Sequence, residues 1–181
     1  MGAFRHGKIV SLGDSRDGAL WCRVELGDAE FDGVAFPSMI GRLRPGDRVV
    51  VNTTGVDLGL GTGGVLFVLW NLDGVDDVDA GEGHIVKMRY TPWQTEVLSA
   101  EAPESPHHST LQDVTDIDGM PVVACGLHSQ LGAAAAGIRA ISPQARIGYL
   151  MTDGAALPLG FSNQVAALRS VGLIDVTCTS G

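Results

Sequence analysis

The residues best suited to chemistry gather toward the C-terminal end of the chain, where three short apolar runs each give way to small polar side chains. The first, MPVVAC, leads into Gly126-Leu127-His128-Ser129-Gln130, the second, RIGYLM, into Thr152-Asp153-Gly154, and the third, IDV, into Thr177-Cys178-Thr179-Ser180. His128 is a candidate catalytic proton carrier, because imidazole is the side chain that titrates near neutral pH. Asp153 suits a general base, a metal ligand or a hydroxyl-binding carboxylate, with an Asp-Gly turn as its structural alternative. His107 and His108, in the string Ser105-Pro106-His107-His108, complete the catalytic candidates. Adjacent histidines on an extended backbone point to opposite sides, so an exposed loop feature is the simpler account of the pair. Gly126, Ser129, Thr152, Gly154, Ser162, Thr179 and Ser180 are the candidate ligand-binding positions around them. Ser129 and Ser162 each also fit the plainer role of helix cap.

A serine, a histidine and an aspartate near one edge invite comparison with a hydrolase triad. No G-x-S-x-G elbow occurs in the chain, so acyl transfer is not the expected chemistry. A metal centre from His107 or His108 with His128 and Asp153 has suitable ligand types but no diagnostic spacing, so no metal and no particular cofactor is assigned. Earlier in the chain, GLGTGG at Gly59–Gly64 offers Gly61, Gly63 and Gly64 as a conceivable anion cradle. It has no lysine after the last glycine and leads into the strand-like VLFVLW rather than a helix, so a hairpin loop is favoured over a phosphate loop.

These groups need a frame, and the stretch from Met120 to Gly181 reads as strand, helix, strand, helix, strand. HSQLGAAAAGIRAI and SNQVAALRSVGL carry apolar residues at three-and-four spacing between the apolar runs, the pattern of βαβ units on a parallel sheet. Strands ending at Cys125, Thr152 and Cys178 would then present their carboxyl ends on one edge, where open α/β sheets hold ligands. Residues 7–71 differ: short apolar runs such as ALWCRVEL and RVVVNTT alternate with turn signals such as GDSRDG and RPGD, which predicts a small antiparallel barrel or sandwich. The acid-rich run NLDGVDDVDAGEG lacks calcium-loop spacing and reads as a linker. The expected organisation is a β-barrel-like domain over 1–72, a linker over 73–83 and a Rossmann-like α/β domain over 84–181.

A net charge of -9 argues against nucleic acid or an anionic membrane as partner, since both reward clustered Lys and Arg. The longest apolar run, Val65 to Trp70, is far short of the ~20 residues that span a bilayer. A cytoplasmic protein with reduced, mostly buried thiols at Cys22, Cys125 and Cys178 is expected. The expected function is binding or turnover of a small anionic metabolite at the sheet edge; the alternative is a non-catalytic sensing or scaffolding protein that forms homo-oligomers.

Taken together, NTTGVDLGLGTGG, HIVKMRYTPWQTEVLSAEAPESPHH, PVVACGLHSQL and MTDGAALPLGFSNQVAALR resemble the bacterial family catalogued as domain of unknown function 3866. The likeness runs from about Val49 to the end and implies no activity. It does imply that GLGTGG, SPHH, GLHSQL and TDGAALPLGFS belong to one site. It also implies that longer members continue into further α/β segments, which makes this chain a fragment or a short form.

Overall fold

The computed structural model describes residues 3–59, 64–74, 83, 85–152 and 159–180. It forms two compact units, Met1–Met120 and Pro121–Gly181, so residues 85–120 group with the barrel rather than with the α/β segment.

The first unit is built on a closed five-stranded barrel of β1 (Phe4–Arg16), β2 (Ala19–Leu26), β3 (Ala29–Ala35), β4 (Arg48–Asn52) and β5 (Leu66–Asn71), ordered β1-β2-β3-β5-β4. Two-residue turns at Asp17-Gly18 and Gly27-Asp28 join the first three strands; Asp17 and Gly18 both take positive φ, which suits the right-handed twist of a tight hairpin. The long β1 pairs with β4 through Phe4–Lys8 and with β2 through Lys8–Arg16. Register shifts along its pairing with β2 let it bend between the two partners. The expectation of an antiparallel barrel holds for every pair but one: β3 and β5 run parallel, Gly33 opposite Leu66 and Val34 opposite Phe67, and that pair closes the ring. The barrel interior is Ile9, Cys22, Val24, Val49, Val51, Leu66 and Val68. The alternating pattern visible in ALWCRVEL is thus the signature of a one-faced strand.

Short helices α1 (Pro37–Ile40) and α2 (Thr54–Asp57) fill the connections around β4. The Pro45-Gly46-Asp47 turn before β4 behaves as its residues require: Gly46 has φ +99, its N–H donates to Ile9 O at 2.7 Å, and Arg44 N–H donates to the Asp47 carboxylate at 2.7 Å. Buried Asn71 ends β5 and donates to Arg42 O at 2.9 Å. A separate hairpin of β6 (Ile85–Lys87) and β7 (Thr95–Val97) follows, then α3 (His108–Gln112). Positive φ at Met88 and Tyr90 follows β6 directly and ends it after three residues.

The second unit contains α4 (Leu131–Ile141), β8 (Gly148–Met151), α5 (Asn163–Ser170) and β9 (Val176–Thr179). Strands β8 and β9 run parallel with α5 between them in sequence, as the alternation of apolar runs and helical spacing predicts. Of the three expected strands, the first is not formed: residues 121–125 join no sheet among the described residues, and Val122 and Val123 are exposed. A short apolar run becomes a strand only where a neighbour supplies the hydrogen-bond ladder, and composition alone does not provide one. The core is Leu131, Ala135, Ile147, Val165 and Ile174, with Ile138, Tyr149 and Leu168 against it. Arg139, on α4, ties the unit's loops together by donating to Pro143 O at 3.0 Å, Gly172 O at 3.2 Å and the Asp175 carboxylate at 2.8 Å. Among the described residues no helix is long and apolar enough to cross a membrane.

Candidate functional site

His128 opens a 3-10 turn, His128–Gln130, that runs directly into α4. Ser129 lies inside this turn instead of capping it; the Gln130 side chain does that work by accepting the Leu127 N–H at 3.1 Å. Ser162 does cap a helix, as its position before Asn163 predicts: its hydroxyl accepts the Val165 N–H at 3.1 Å, satisfying one of the unpaired amides of the first turn of α5.

These two local solutions meet at the imidazole. His128 Nε2 lies 2.7 Å from Ser162 Oγ, and His128 Nδ1 lies 2.9 Å from the hydroxyl of Tyr149 on β8. Ser162 is buried, while His128 and Tyr149 are half-buried, so the three groups form a line that is shielded at one end and reachable at the other. In one neutral tautomer Ser162 donates to Nε2 and Nδ1–H donates to Tyr149. In the other, Tyr149 donates to Nδ1 and Nε2–H donates to Ser162. Both leave each ring nitrogen with a partner, because each hydroxyl can donate and accept. Burial, followed by the electrostatic influence of Cys125, raises the Tyr149 pKa above its usual value, so the phenol keeps its proton at neutral pH.

Tyr149 is the member that sequence reasoning missed. Its signal was a single polar-tipped aromatic inside the apolar run GYLM, a residue type that normally finds a hydrogen-bond partner when buried. Of the other expected positions, Thr152, Thr179 and Ser180 meet at the carboxyl ends of the parallel pair, where Met151 sits opposite Thr179 and Ser180 N–H donates to Met151 O at 3.0 Å. Gly126 lies before the turn with open space where a Cβ would project, so it forms no close cradle. Gly64 takes φ +71 with open space around it. Asp153, Gly154, Gly61 and Gly63 lie outside the described residues.

His107 and His108 belong to the first unit, His128 to the second. The SPHH string is not an extended loop: His107 precedes α3, His108 begins it, and His108 Nδ1 lies 2.7 Å from Glu101 O. Among the described residues no group of three His, Cys, Asp or Glu side chains is disposed to hold a metal. The cysteines also depart from expectation. Cys22 is buried, whereas Cys125 and Cys178 are exposed. Burial, with a smaller effect from the Asp32 carboxylate, pushes the Cys22 thiol up to about 11.

No curated protein and no solved structure matches the chain. A family model described as "Protein of unknown function (DUF3866)" matches residues 32–181, from the third barrel strand through the His128 site. With that span covering most of its 181 residues, the chain belongs to the DUF3866 family.

Proposed function

We propose that the second unit is a Rossmann-like unit that binds, and acts on, a small anionic metabolite at the carboxyl edge of its parallel strands, with His128 as the proton carrier. The observation that carries this reading is the hydrogen-bonded line Tyr149–His128–Ser162, in which the imidazole can exchange tautomers without losing a partner. The hydroxyls of Thr152, Thr179 and Ser180 at the strand ends are suited to hold the ligand. Ser162 is a positioning residue here: it caps α5 and orients the imidazole, and its burial argues against a role as nucleophile.

A thermal-shift series with inorganic phosphate, pyrophosphate, pyruvate and citrate tests this. A ligand that binds only the folded chain adds about 2.7 kcal/mol when present at a hundred times its Kd, enough to raise the melting midpoint visibly. At least one of these anions is expected to stabilise the wild type, with the shift abolished in His128→Ala. No shift with any of them, or an undiminished shift in His128→Ala, would overturn the assignment.

A second reading, a non-catalytic scaffold that self-associates, rests on a different observation. Parallel sheets are ordinarily covered on both faces, yet Leu150 is 55% and Val176 50% exposed, on the face shared with Cys178. Sedimentation equilibrium decides it: a dimer lost in Leu150→Lys would favour the scaffold, and a monomer across the concentration range would remove it.

A further inference from the structure

The first unit contains a groove of about 570 Å³ bordered by α1, β5 and the turn that leads into β7. This is within the ~300–1,000 Å³ typical of small-molecule sites. Its walls include Phe36, Met39, Trp70 and Trp93, with Ser38 and Glu96 among the polar groups. Trp70 and Trp93 are each 41% exposed and Met39 is 44% exposed. Large rings left open to water in a concave site are the usual means of holding a ligand ring, because they offer wide apolar contact at little cost in side-chain freedom. Among the described residues lining the groove, Glu96 alone carries a formal charge. Among the described residues of its lining no cation is present to offset the water that an entering anion would lose.

We propose that this groove binds an uncharged small molecule carrying an aromatic ring, seated against Trp70 and Trp93 and able to hydrogen-bond Ser38. The site lies within the first unit and is independent of the His128 reading, so either can fail without the other.

Two fluorescent probes that share one ring system test the class. The full chain is titrated with neutral N-phenyl-1-naphthylamine and, separately, with its anionic relative 1-anilinonaphthalene-8-sulfonate. The neutral probe is expected to saturate one site and to bind more tightly than the sulfonate. Since a ring-on-ring contact is worth about 0.5–1.5 kcal/mol, Trp93→Ala should weaken the neutral probe about fivefold, while Trp21→Phe, outside the groove, should not. Ser38→Phe fills the groove without removing packing, and carries the test should Trp93→Ala lower the melting midpoint. Equal or tighter binding of the sulfonate would overturn the ligand class. No saturable binding of the neutral probe, or binding unchanged in both Trp93→Ala and Ser38→Phe, would overturn the site.

Discussion

The two units solve the same problem of unpaired strand edges in opposite ways. The barrel joins five strands in a ring, so that every strand has a neighbour on both sides and Val24, Val49, Val51 and Leu66 are completely buried. The second unit has a parallel pair, a core centred on five buried residues, and exposed Leu150, Val176, Val122 and Val123. Closure gives each strand's backbone a partner on both sides and turns one face of the strands into a sealed interior. The open pair leaves Tyr149 on β8 and Ser162 at the start of α5 to meet at the half-buried imidazole of His128.

The sharpest way to break this contrast is Leu66→Ala. Truncating a completely buried leucine in a ring that cannot collapse should cost about 2–5 kcal/mol, read by denaturant unfolding through tryptophan fluorescence. A cost below ~1 kcal/mol would mean the barrel interior is far less tightly packed than its burial indicates. Ser162→Ala should cost less, about 1 kcal/mol for the lost cap, and should speed amide exchange in α5 without altering exchange in the barrel.

Acid sharpens the comparison further, because each unit has its own carboxylate clasp. Asp73 in the barrel accepts from the Arg48 side chain and backbone, the latter at 2.6 Å, and the guanidinium bond holds its pKa below the usual value. Asp175 in the second unit is lowered first by the Ile147 N–H at 2.7 Å and then by Arg139. For a carboxylate whose folded pKa is depressed, the added stability is complete above the unfolded value near ~3.9 and is lost as pH falls through the folded one. Melting midpoints should therefore drop below about pH 4, with Asp73→Asn flattening that limb for the barrel and Asp175→Asn for the second unit. The mildest probe is a thiol reagent at pH 8: Cys125 and Cys178 should react at once, and Cys22 only after denaturation. Prompt reaction of Cys22 would show that the barrel opens readily.

Much of the barrel was legible because its strands are one-faced and its turns carry their own chemistry, as at Asp17-Gly18 and Gly46. The parallel β3–β5 seam was not, because strand pairing across thirty-odd residues leaves no local mark. In the second unit, α4, α5 and the parallel direction of β8 and β9 followed from helical spacing between apolar runs, and Ser162 was readable as a cap. The PVVAC run misled because apolar composition signals burial without naming a partner strand. His128 was found by residue type, but its link to Tyr149 spans 21 positions and depends on how β8 lies against the turn before α4. The SPHH pair was misjudged because the geometry of an extended backbone was applied to residues that enter a helix.

The shared first strand has a practical consequence. Phe4–Lys8 zips to β4 while the remainder of β1 zips to β2, and Ala3 itself bonds Thr54 and Thr53. Clipping the segment ahead of Ile9 would turn a hoop into a curled ribbon with two raw margins, each a template for sticking to another molecule. Any affinity handle grafted at this end needs a spacer long enough to leave the zip undisturbed.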